Sequence, residues 1–211
     1  MDERSLTVTA VRDVGPDAIA IDVETPAEFS ARPGQFVKLT LEVDGEDESR
    51  FYTISSPDVA GEFEMTVGID PDGEVAPHLA DLEAGDSVRI EGPFGSDYYE
   101  GETRSVLLAG GPGIGPAIGI AERAVADGNA AGVVYQDDEP IHEERLDTLR
   151  EQGVTVHVLA DGADLTDAVA DVTGAGGQVF VYGFADFLDD AMAALEAAGV
   201  DTEDAKVENF G

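Results

Sequence analysis

Two short stretches of this sequence hold the residue types that bind phosphate groups. The first is GGPGIGP at residues 110–116, which follows an apolar run and precedes an amphipathic segment. Glycines let a backbone approach a ligand closely, and the first turn of a helix offers amide donors and a favourable dipole to an anion. The stretch is therefore interpreted as a phosphate-binding turn, with close packing of its glycines as the alternative interpretation.

The second stretch is RFYTISS at residues 50–56. Alternate residues of a β-strand point to the same face, so Arg50 and Tyr52 are expected side by side. A guanidinium next to an aromatic plane suits a ligand that combines a phosphate with a ring system. When the stretch is considered alone, an exposed arginine on an edge strand explains it better.

The elements that carry these stretches change in kind near residue 100. Before that point, short segments alternate apolar and polar residues between turn signals, which is typical of antiparallel strands. The acidic segment 70–74 is interpreted as a hairpin turn. Six strands indicate a small β-barrel, and they are predicted at residues 6–14, 18–25, 35–43, 50–56, 62–69 and 86–92.

After that point, apolar strands alternate with helices, which predicts a parallel sheet covered on both faces. The predicted domains are therefore a six-stranded antiparallel β-barrel over residues 1–100 and an α/β parallel-sheet nucleotide-binding domain over residues 101–211. Strands of the second domain are predicted at 105–110, 131–136, 154–160, 178–183 and 204–210, and helices at 116–126, 142–152, 165–172 and 186–199.

The charge of the chain limits its partners and its environment. There are 46 acidic and 11 basic residues, a net charge of −35, and no cysteine. This composition resembles that of cytoplasmic proteins from salt-accumulating halophilic archaea, in which molar salt shortens the Debye length to about 3 Å. Cations are too few to neutralise the phosphates of nucleic acid. The absence of cysteine excludes disulfides and cysteine-held zinc or iron–sulfur clusters in this chain.

The sequence predicts no signal peptide, no membrane-spanning segment and no metal site. The first residues lack the pattern of a signal peptide, which predicts a cytoplasmic location. The uncharged segment 106–121 is shorter than the roughly 20 residues that span a bilayer, so membrane insertion is not predicted. His78, His142 and His157 share no spacing typical of metal ligands, so no metal site is predicted. The oligomeric state stays open.

RFYTISS and GGPGIGP occur in a fixed order with four further motifs. These are PGQF at 33–36, GPFG at 92–95, YGF at 182–184 and ENFG at 208–211. Together they resemble the ferredoxin–NADP reductase family of flavoprotein oxidoreductases over nearly the whole chain, in a halophilic archaeal form. The resemblance implies FAD in the first domain and NAD in the second, while FMN in place of FAD stays open.

For the first domain, the resemblance implies a flavin site around RFYTISS. Arg50 would pair with the pyrophosphate, Tyr52 would pack on the isoalloxazine ring, and Thr53 would hydrogen-bond near its reactive N5. Thr53 faces away from Tyr52 in an ideal strand, so this role requires a bend. Further pyrophosphate contacts are implied at Gly73, Val75 and Ala76, where Ala76 replaces the hydroxyl residue usual in the family.

For the second domain, the resemblance implies a nicotinamide site. Tyr182 replaces a cysteine that many members place near the nicotinamide, and it joins Tyr52 and Thr53 as the residues predicted at the reacting atoms. Glu208 and Phe210 would lie near the flavin. The acidic loop at Asp137 would repel the 2′-phosphate of NADPH, which favours NADH. The remaining dinucleotide contacts are predicted at Gly110, Gly111, Gly113, Gly115, Pro116 and Gly183.

These expectations favour an FAD-dependent oxidoreductase that takes hydride from NADH, or from NADPH, and passes electrons to a separate acceptor. The acceptor would be ferredoxin, a similar protein or a small molecule. Ala76, Pro112 and Tyr182 depart from the family pattern and leave a second hypothesis open, a non-catalytic or regulatory flavin-binding electron-transfer subunit of a larger redox complex. A third hypothesis, an NAD-only dehydrogenase, is disfavoured by RFYTISS.

Overall fold

The alternating segments of the first half form a six-stranded antiparallel sheet, as predicted. The computed structural model describes residues 2–211. The fourth strand begins earlier than predicted and ends at Thr53, after which Ile54 pairs with Met65. The strands are β1 (Arg4–Gly15), β2 (Ala18–Glu24), β3 (Phe36–Val43), β4 (Glu46–Thr53), β5 (Glu62–Gly68) and β6 (Ser87–Phe94).

This sheet is curled, and its two edge strands therefore approach each other. The strand order is β4-β3-β6-β1-β2-β5, so β4 and β5 lie at opposite edges. The Ser55 amide, just after β4, donates a hydrogen bond to the Glu64 carbonyl of β5 at 2.8 Å. The curl encloses an apolar core that includes Val8, Ile21, Val37, Leu39, Ile54, Phe63, Met65 and Ile90.

The segment 70–74 does not form the predicted hairpin turn. Its turn chemistry is present, since the Asp70 carboxylate accepts a hydrogen bond from the Asp72 amide at 2.9 Å. However, β5 pairs with β2 along its whole length, and the chain continues into a short helix, α1 (Ala76–Ala80), before reaching β6. Leu79 of this helix packs into the core of the curled sheet.

The second half forms a five-stranded parallel sheet with helices on both faces, which confirms the predicted α/β arrangement. One apolar cluster lies between the sheet and helices α2 and α3, and another lies between the sheet and helices α4 and α5. The predicted boundary at residues 100 and 101 falls between β6 and β7 and stays a prediction. The strand order is β11-β10-β7-β8-β9. The elements are β7 (Arg104–Gly110), α2 (Ile114–Ala126), β8 (Ala130–Gln136), α3 (Glu143–Glu151), β9 (Thr155–Leu159), α4 (Thr166–Thr173), β10 (Gln178–Gly183), α5 (Ala185–Ala197) and β11 (Lys206–Asn209).

Among residues 2–211, no helix is both long enough and apolar enough to cross a lipid bilayer.

The two domains meet where helix α2 rests on the chain that follows β4. A methyl group at Gly119 would lie 2.7 Å from the carbonyl oxygen of Ser55, and one at Gly115 would overlap with Ser55 and Thr66. Gly115 and Gly119 are four residues apart, so they share one face of the helix. The absence of a side chain at Gly119 lets this face of the helix touch the backbone of the first domain directly.

Replacing Gly119 by alanine is expected to lower the free energy of unfolding by about 1–3 kcal/mol, because the added methyl group meets backbone that cannot move aside. In an exposed helix the same change stabilises by about 1 kcal/mol, so the sign of the effect is informative. The measurement is denaturant unfolding in molar salt. Ala126→Ser, at the exposed end of α2, is the control and should change stability by less than about 0.5 kcal/mol. A Gly119→Ala protein at least as stable as the wild type would contradict the contact.

Candidate functional site

A cavity of about 690 Å³ lies between the two domains. This volume is in the range of small-molecule binding sites. The first domain contributes β4, β5 and the turn before α1, while the second contributes the turn before α2 and residues at the ends of β10 and β11. The lining consists of Ser49, Arg50, Phe51, Tyr52, Thr53, Thr66, Gly68, Gly73, Glu74, Val75, Ala76, Pro112, Pro116, Phe184, Glu208, Asn209, Phe210 and Gly211.

The residues predicted for the flavin site lie together on this lining. The structure brings Thr53 to the same cavity as Tyr52, although the two alternate along β4. Across the cavity the second domain places β11 and the residues that follow it. The predicted flavin-site residues found here are Arg50, Tyr52, Thr53, Gly73, Val75, Ala76, Glu208 and Phe210.

Arg50 is the only basic residue among those lining residues. Its guanidinium lies 3.3 Å from the carboxylates of Glu48 and Glu74 and donates a hydrogen bond to the Ser49 carbonyl at 2.9 Å. The Glu74 side chain is 79% exposed, so this ion pair contributes little stability. A phosphate can therefore replace these carboxylates as a partner of the guanidinium.

Thr53 and Glu208 connect the two domains inside the cavity. The Thr53 hydroxyl donates a hydrogen bond to Oε1 of Glu208 at 2.8 Å. Burial raises the pKa of Glu208 to about 7, and the hydrogen bond from Thr53 opposes that shift. Burial also raises the pKa of the Tyr52 phenol to about 12. Near neutral pH the cavity thus contains one carboxyl group that exchanges a proton and one phenol that keeps its proton.

Most of the glycine-rich turn before α2 is in close contact with protein. A methyl group at Gly110 would lie 2.5 Å from the ring of Phe187, and one at Gly113 would overlap with the carbonyl oxygen of Tyr182. Gly115 is likewise filled by the first domain, as described above. Close packing therefore occupies the space beside three of the four predicted glycines.

The rest of the turn is open. Gly111 has a φ of +54°, which glycine adopts without strain, and no atom lies within 4 Å of where its side chain would be. Pro112 and Pro116 line the cavity. A ligand thus has room at Gly111 and along the two prolines.

Tyr182 and Gly183 lie outside the cavity. The Tyr182 side chain is 1% exposed because alternation along β10 directs it into the apolar core shared with α2. Its hydroxyl has no hydrogen-bond partner within residues 2–211 and lies against Gly34, and burial raises the pKa of the phenol well above its usual value. The ring of Phe187 covers Gly183. The next residue, Phe184, does line the cavity and is 52% exposed.

Asp137 lies at the carboxyl end of β8, away from the cavity lining. Its carboxylate accepts hydrogen bonds from the Tyr135 hydroxyl and the Glu139 amide, each at 2.9 Å. Asp138 accepts one from the Asp161 amide at 3.0 Å, and burial together with the carboxylates of Asp138 and Asp137 raises the pKa of Asp161. Three carboxylates therefore cluster at this edge of the parallel sheet.

Several cavity residues carry no prediction from the sequence. Phe51 and Phe184 are exposed aromatic residues. Each lies inside a quoted motif and directly beside a predicted site residue, so the sequence could have indicated that they line the site. Thr66 and Gly68 come from β5, whose pattern indicated only a strand. The other lining residues that were not predicted as contacts are Ser49, Glu74, Pro112, Asn209 and Gly211. Within residues 2–211, no three histidine or acidic side chains converge in a way that could hold a metal ion.

Sequence comparison finds a matching family and relatives for about half of the chain. Residues 5–99 match the family described as Oxidoreductase FAD-binding domain. Over 103 residues the chain is 40% identical to the glycine betaine monooxygenase reductase subunit of Chromohalobacter salexigens. This match covers 46% of the chain and 27% of that relative, so the chain spans well under two thirds of the length of the curated protein it matches.

Structural comparison covers the whole chain. The FAD/NAD-binding domain of nitric oxide dioxygenase from Vibrio cholerae O1 biovar El Tor superposes with a TM-score of 0.86 at 20% identity, covering 100% of both chains. A ferredoxin NADP+ reductase from Neisseria gonorrhoeae, solved with bound FAD and NADP, gives a TM-score of 0.83 at 16% identity, again over 100% of both chains. At these identities the likeness establishes the fold.

A curled antiparallel sheet, a parallel α/β sheet and a cavity between them form a two-domain fold, which the chain shares with the FAD/NAD-binding domain and the ferredoxin NADP+ reductase named above. Within that fold, residues 5–99 carry the match to the oxidoreductase FAD-binding domain family.

The raised pKa of Glu208 predicts a pH dependence of stability. Its pKa is about 7 in the folded protein, compared with an ordinary value of 4.5, so the fold favours the protonated carboxyl group. The contribution of this group to stability is therefore fully present below pH 4.5 and is lost as pH rises through 7. Relative to Glu208→Gln, the wild type should lose about 2–3 kcal/mol of unfolding free energy between pH 5 and pH 8. The measurement is denaturant unfolding at constant molar salt. Glu196→Gln, an exposed position on α5, should keep the wild-type pH profile. Equal profiles for the wild type and Glu208→Gln would contradict the shift.

Proposed function

We propose that this chain is an FAD-dependent oxidoreductase that takes hydride from NADH and passes electrons to a separate acceptor. The proposal is carried by one observation, the single cavity at which Arg50 and Thr53 of the first domain face Glu208 and Phe210 of the second. A ligand in this cavity touches both domains, as a hydride transfer between two bound cofactors requires.

The side chains of the cavity fit a flavin by their chemistry. Arg50 would pair with the pyrophosphate and Tyr52 would pack on the ring system, next to the turn that leads to α1. The rings of Phe184 and Phe210 form an edge-to-face pair with centroids 6.2 Å apart on the opposite wall. When bound, FAD accepts hydride and releases electrons one at a time.

The residues of the chain would orient this chemistry and move a proton. Thr53 holds the Glu208 carboxyl in a fixed direction through its hydrogen bond. A carboxyl with a pKa of about 7 donates or accepts a proton with little cost at neutral pH. Because no cysteine is present to hold an iron–sulfur cluster, electrons would leave to a ferredoxin, a similar protein or a small acceptor.

The environment of the protein belongs to the same proposal. A net charge of −35 with 11 basic residues suits the cytoplasm of a cell with molar internal salt, where surface repulsion is screened. An acidic acceptor protein could approach under these conditions for the same reason.

A second candidate function is an electron-transfer subunit that binds flavin and does not react with NADH. The packing of Phe187 against Gly110 and Gly183 favours it, because a side chain fills space beside the predicted dinucleotide turn. The relative that is named a reductase subunit fits both candidates, because its name gives a subunit role and a reductase role together. The two candidates differ in one measurable property, which is reduction of the bound flavin by NADH.

Purified protein mixed with FAD in molar salt is expected to retain the flavin through gel filtration, and anaerobic NADH is expected to bleach its visible absorbance. Protein that binds no flavin would contradict the proposal. Protein that binds flavin but stays oxidised with NADH would favour the subunit.

Arg50→Gln is expected to weaken FAD binding by about 10- to 100-fold, because a charge-assisted contact to the pyrophosphate is lost. The dissociation constant is measured by quenching of flavin fluorescence. Arg4→Gln removes an exposed arginine that pairs with Glu28 at 3.5 Å and should leave FAD binding unchanged. Equal affinity in Arg50→Gln and the wild type would remove Arg50 from the flavin site.

Coenzyme choice is expected to depend on the carboxylates after β8. At about 1 kcal/mol of repulsion for each carboxylate, Asp137→Asn/Asp138→Asn should raise the ratio of kcat/KM for NADPH to that for NADH by about 5- to 30-fold. Steady-state kinetics at the lowest salt that keeps the protein folded provides the measurement. Asp189→Asn/Asp190→Asn on α5 makes the same change in net charge and should leave the ratio unchanged. No change in the first double variant would refute the electrostatic basis of the preference.

A further inference from the structure

Arg145, on helix α3, connects three separate elements through one guanidinium. Its Nη1 donates to the carboxylate of Glu64 on β5 at 2.6 Å. Its Nη2 donates to the carbonyl of Ser55 at 2.9 Å. Its Nε and Nη2 both donate to the carboxylate of Glu122 on α2, at 2.9 and 2.8 Å. No predicted site residue takes part in this cluster, and the mechanism above does not use it.

Each partner of Arg145 lies on or directly beside an element that forms part of the cavity. Ser55 follows Thr53 by two residues, and Glu64 precedes Thr66 by two residues on β5. Glu122 is on α2, the helix that begins after the glycine-rich turn and carries Pro116. Arg145 itself is absent from the cavity lining. Arg145 therefore contacts the segments that carry both walls of the cavity but does not line the cavity itself.

Burial makes these contacts strong and directional. The side chains of Arg145, Glu64 and Glu122 are 22%, 9% and 24% exposed. A planar guanidinium holds several acceptors in a fixed fork, which an ammonium group cannot do. Nearby, a ring nitrogen of His142 lies 2.9 Å from the hydroxyl of Thr66, and burial and the charge of Arg145 lower the pKa of His142 to about 4. His142 is thus neutral and adds no charge to the cluster near pH 7.

We propose that Arg145 is a positioning residue that sets the distance between the flavin strand β4 and the nicotinamide-side helix α2. The close packing of Gly115 and Gly119 on Ser55 permits the short separation, and Arg145 holds it. The kinetic consequence rests on the proposed function, whereas the separation itself does not. A misplacement of about 1 Å between reacting groups can cost 100-fold in rate, so a residue outside the cavity would control hydride transfer.

The first test measures the separation directly. Since the chain has no cysteine, Glu83→Cys in the first domain and Glu196→Cys in the second provide a unique pair of exposed spin-label sites. Double electron–electron resonance is expected to give a narrow distribution of the distance between the two spin labels in the otherwise wild-type protein. The distribution should broaden or shift in Arg145→Gln and in Glu122→Gln. Arg150→Gln is the matched control on α3, because Arg150 pairs with the exposed Asp147 of the same helix.

The second test separates positioning from stability. In the FAD-loaded protein, Arg145→Gln and Glu122→Gln are expected to slow flavin reduction at saturating NADH by about 10- to 100-fold while leaving the FAD dissociation constant unchanged. Arg145→Lys keeps the positive charge but lacks the planar guanidinium that binds several acceptors at once. Its rate of flavin reduction should lie between those of the wild type and Arg145→Gln. A residue with a purely structural role would lower the unfolding midpoint and leave the rate in the folded protein unchanged.

The outcomes distinguish this proposal from the proposed function. Folded Arg145→Gln protein with wild-type distances and a wild-type reduction rate would overturn the positioning role. If Arg145→Gln does not fold, Glu122→Gln decides, because it leaves the pairing of Arg145 with Glu64 in place. Wild-type protein that NADH fails to reduce would refute the proposed function, and the spin-label distances would still decide whether Arg145 sets the separation.

Discussion

The structure depends on one buried carboxylate at the junction of its domains. Glu64 accepts hydrogen bonds from Arg12 at 2.8 Å and from Arg145 at 2.6 Å. Burial alone would raise its pKa, but the neighbouring positive charges prevail and lower it. Loss of one partner from such a pair typically costs about 3–5 kcal/mol, because the remaining charge is left uncompensated. Arg12 also pairs with Asp22 and Arg145 with Glu122, so one network joins β1, β2 and β5 of the first domain to α2 and α3 of the second.

Three of the eleven basic residues of this chain, Arg12, Arg145 and Lys206, hold separate elements together. Besides Arg12 and Arg145, Lys206 donates hydrogen bonds to the carboxylates of Glu100 and Glu102 and is 13% exposed. These contacts fix the segment between the domains to β11. Salt screens exposed charges strongly and buried pairs much less. High salt can therefore relieve the repulsion of the acidic surface while the junction keeps its ion pairs.

Periodicity predicted the fold because burial on one face and burial on two faces leave different patterns along a strand. The resemblance to the ferredoxin–NADP reductase family pointed to Arg50, Tyr52 and Thr53 of β4, whereas strand alternation alone placed Thr53 on the face opposite Tyr52. Local patterns could not show that Gly115 packs on Ser55, since that contact joins segments far apart in the sequence. Nor could they separate a ligand-facing Tyr182 from a buried one, because a motif does not show what fills the space beside it. Arg145 carried no signal, since a single arginine among glutamates is also typical of an exposed helix.

The position of Gly211 in the wall of the cavity has a practical consequence. Gly211 lines the cavity, and its amide donates a hydrogen bond to the side chain of Asn209 at 3.2 Å. Any affinity tag or fused module attached after Gly211 would start from the wall of the cavity and compete with whatever enters it. Expression vectors for this protein should therefore attach such additions ahead of β1, whose first residue, Arg4, is not part of that wall.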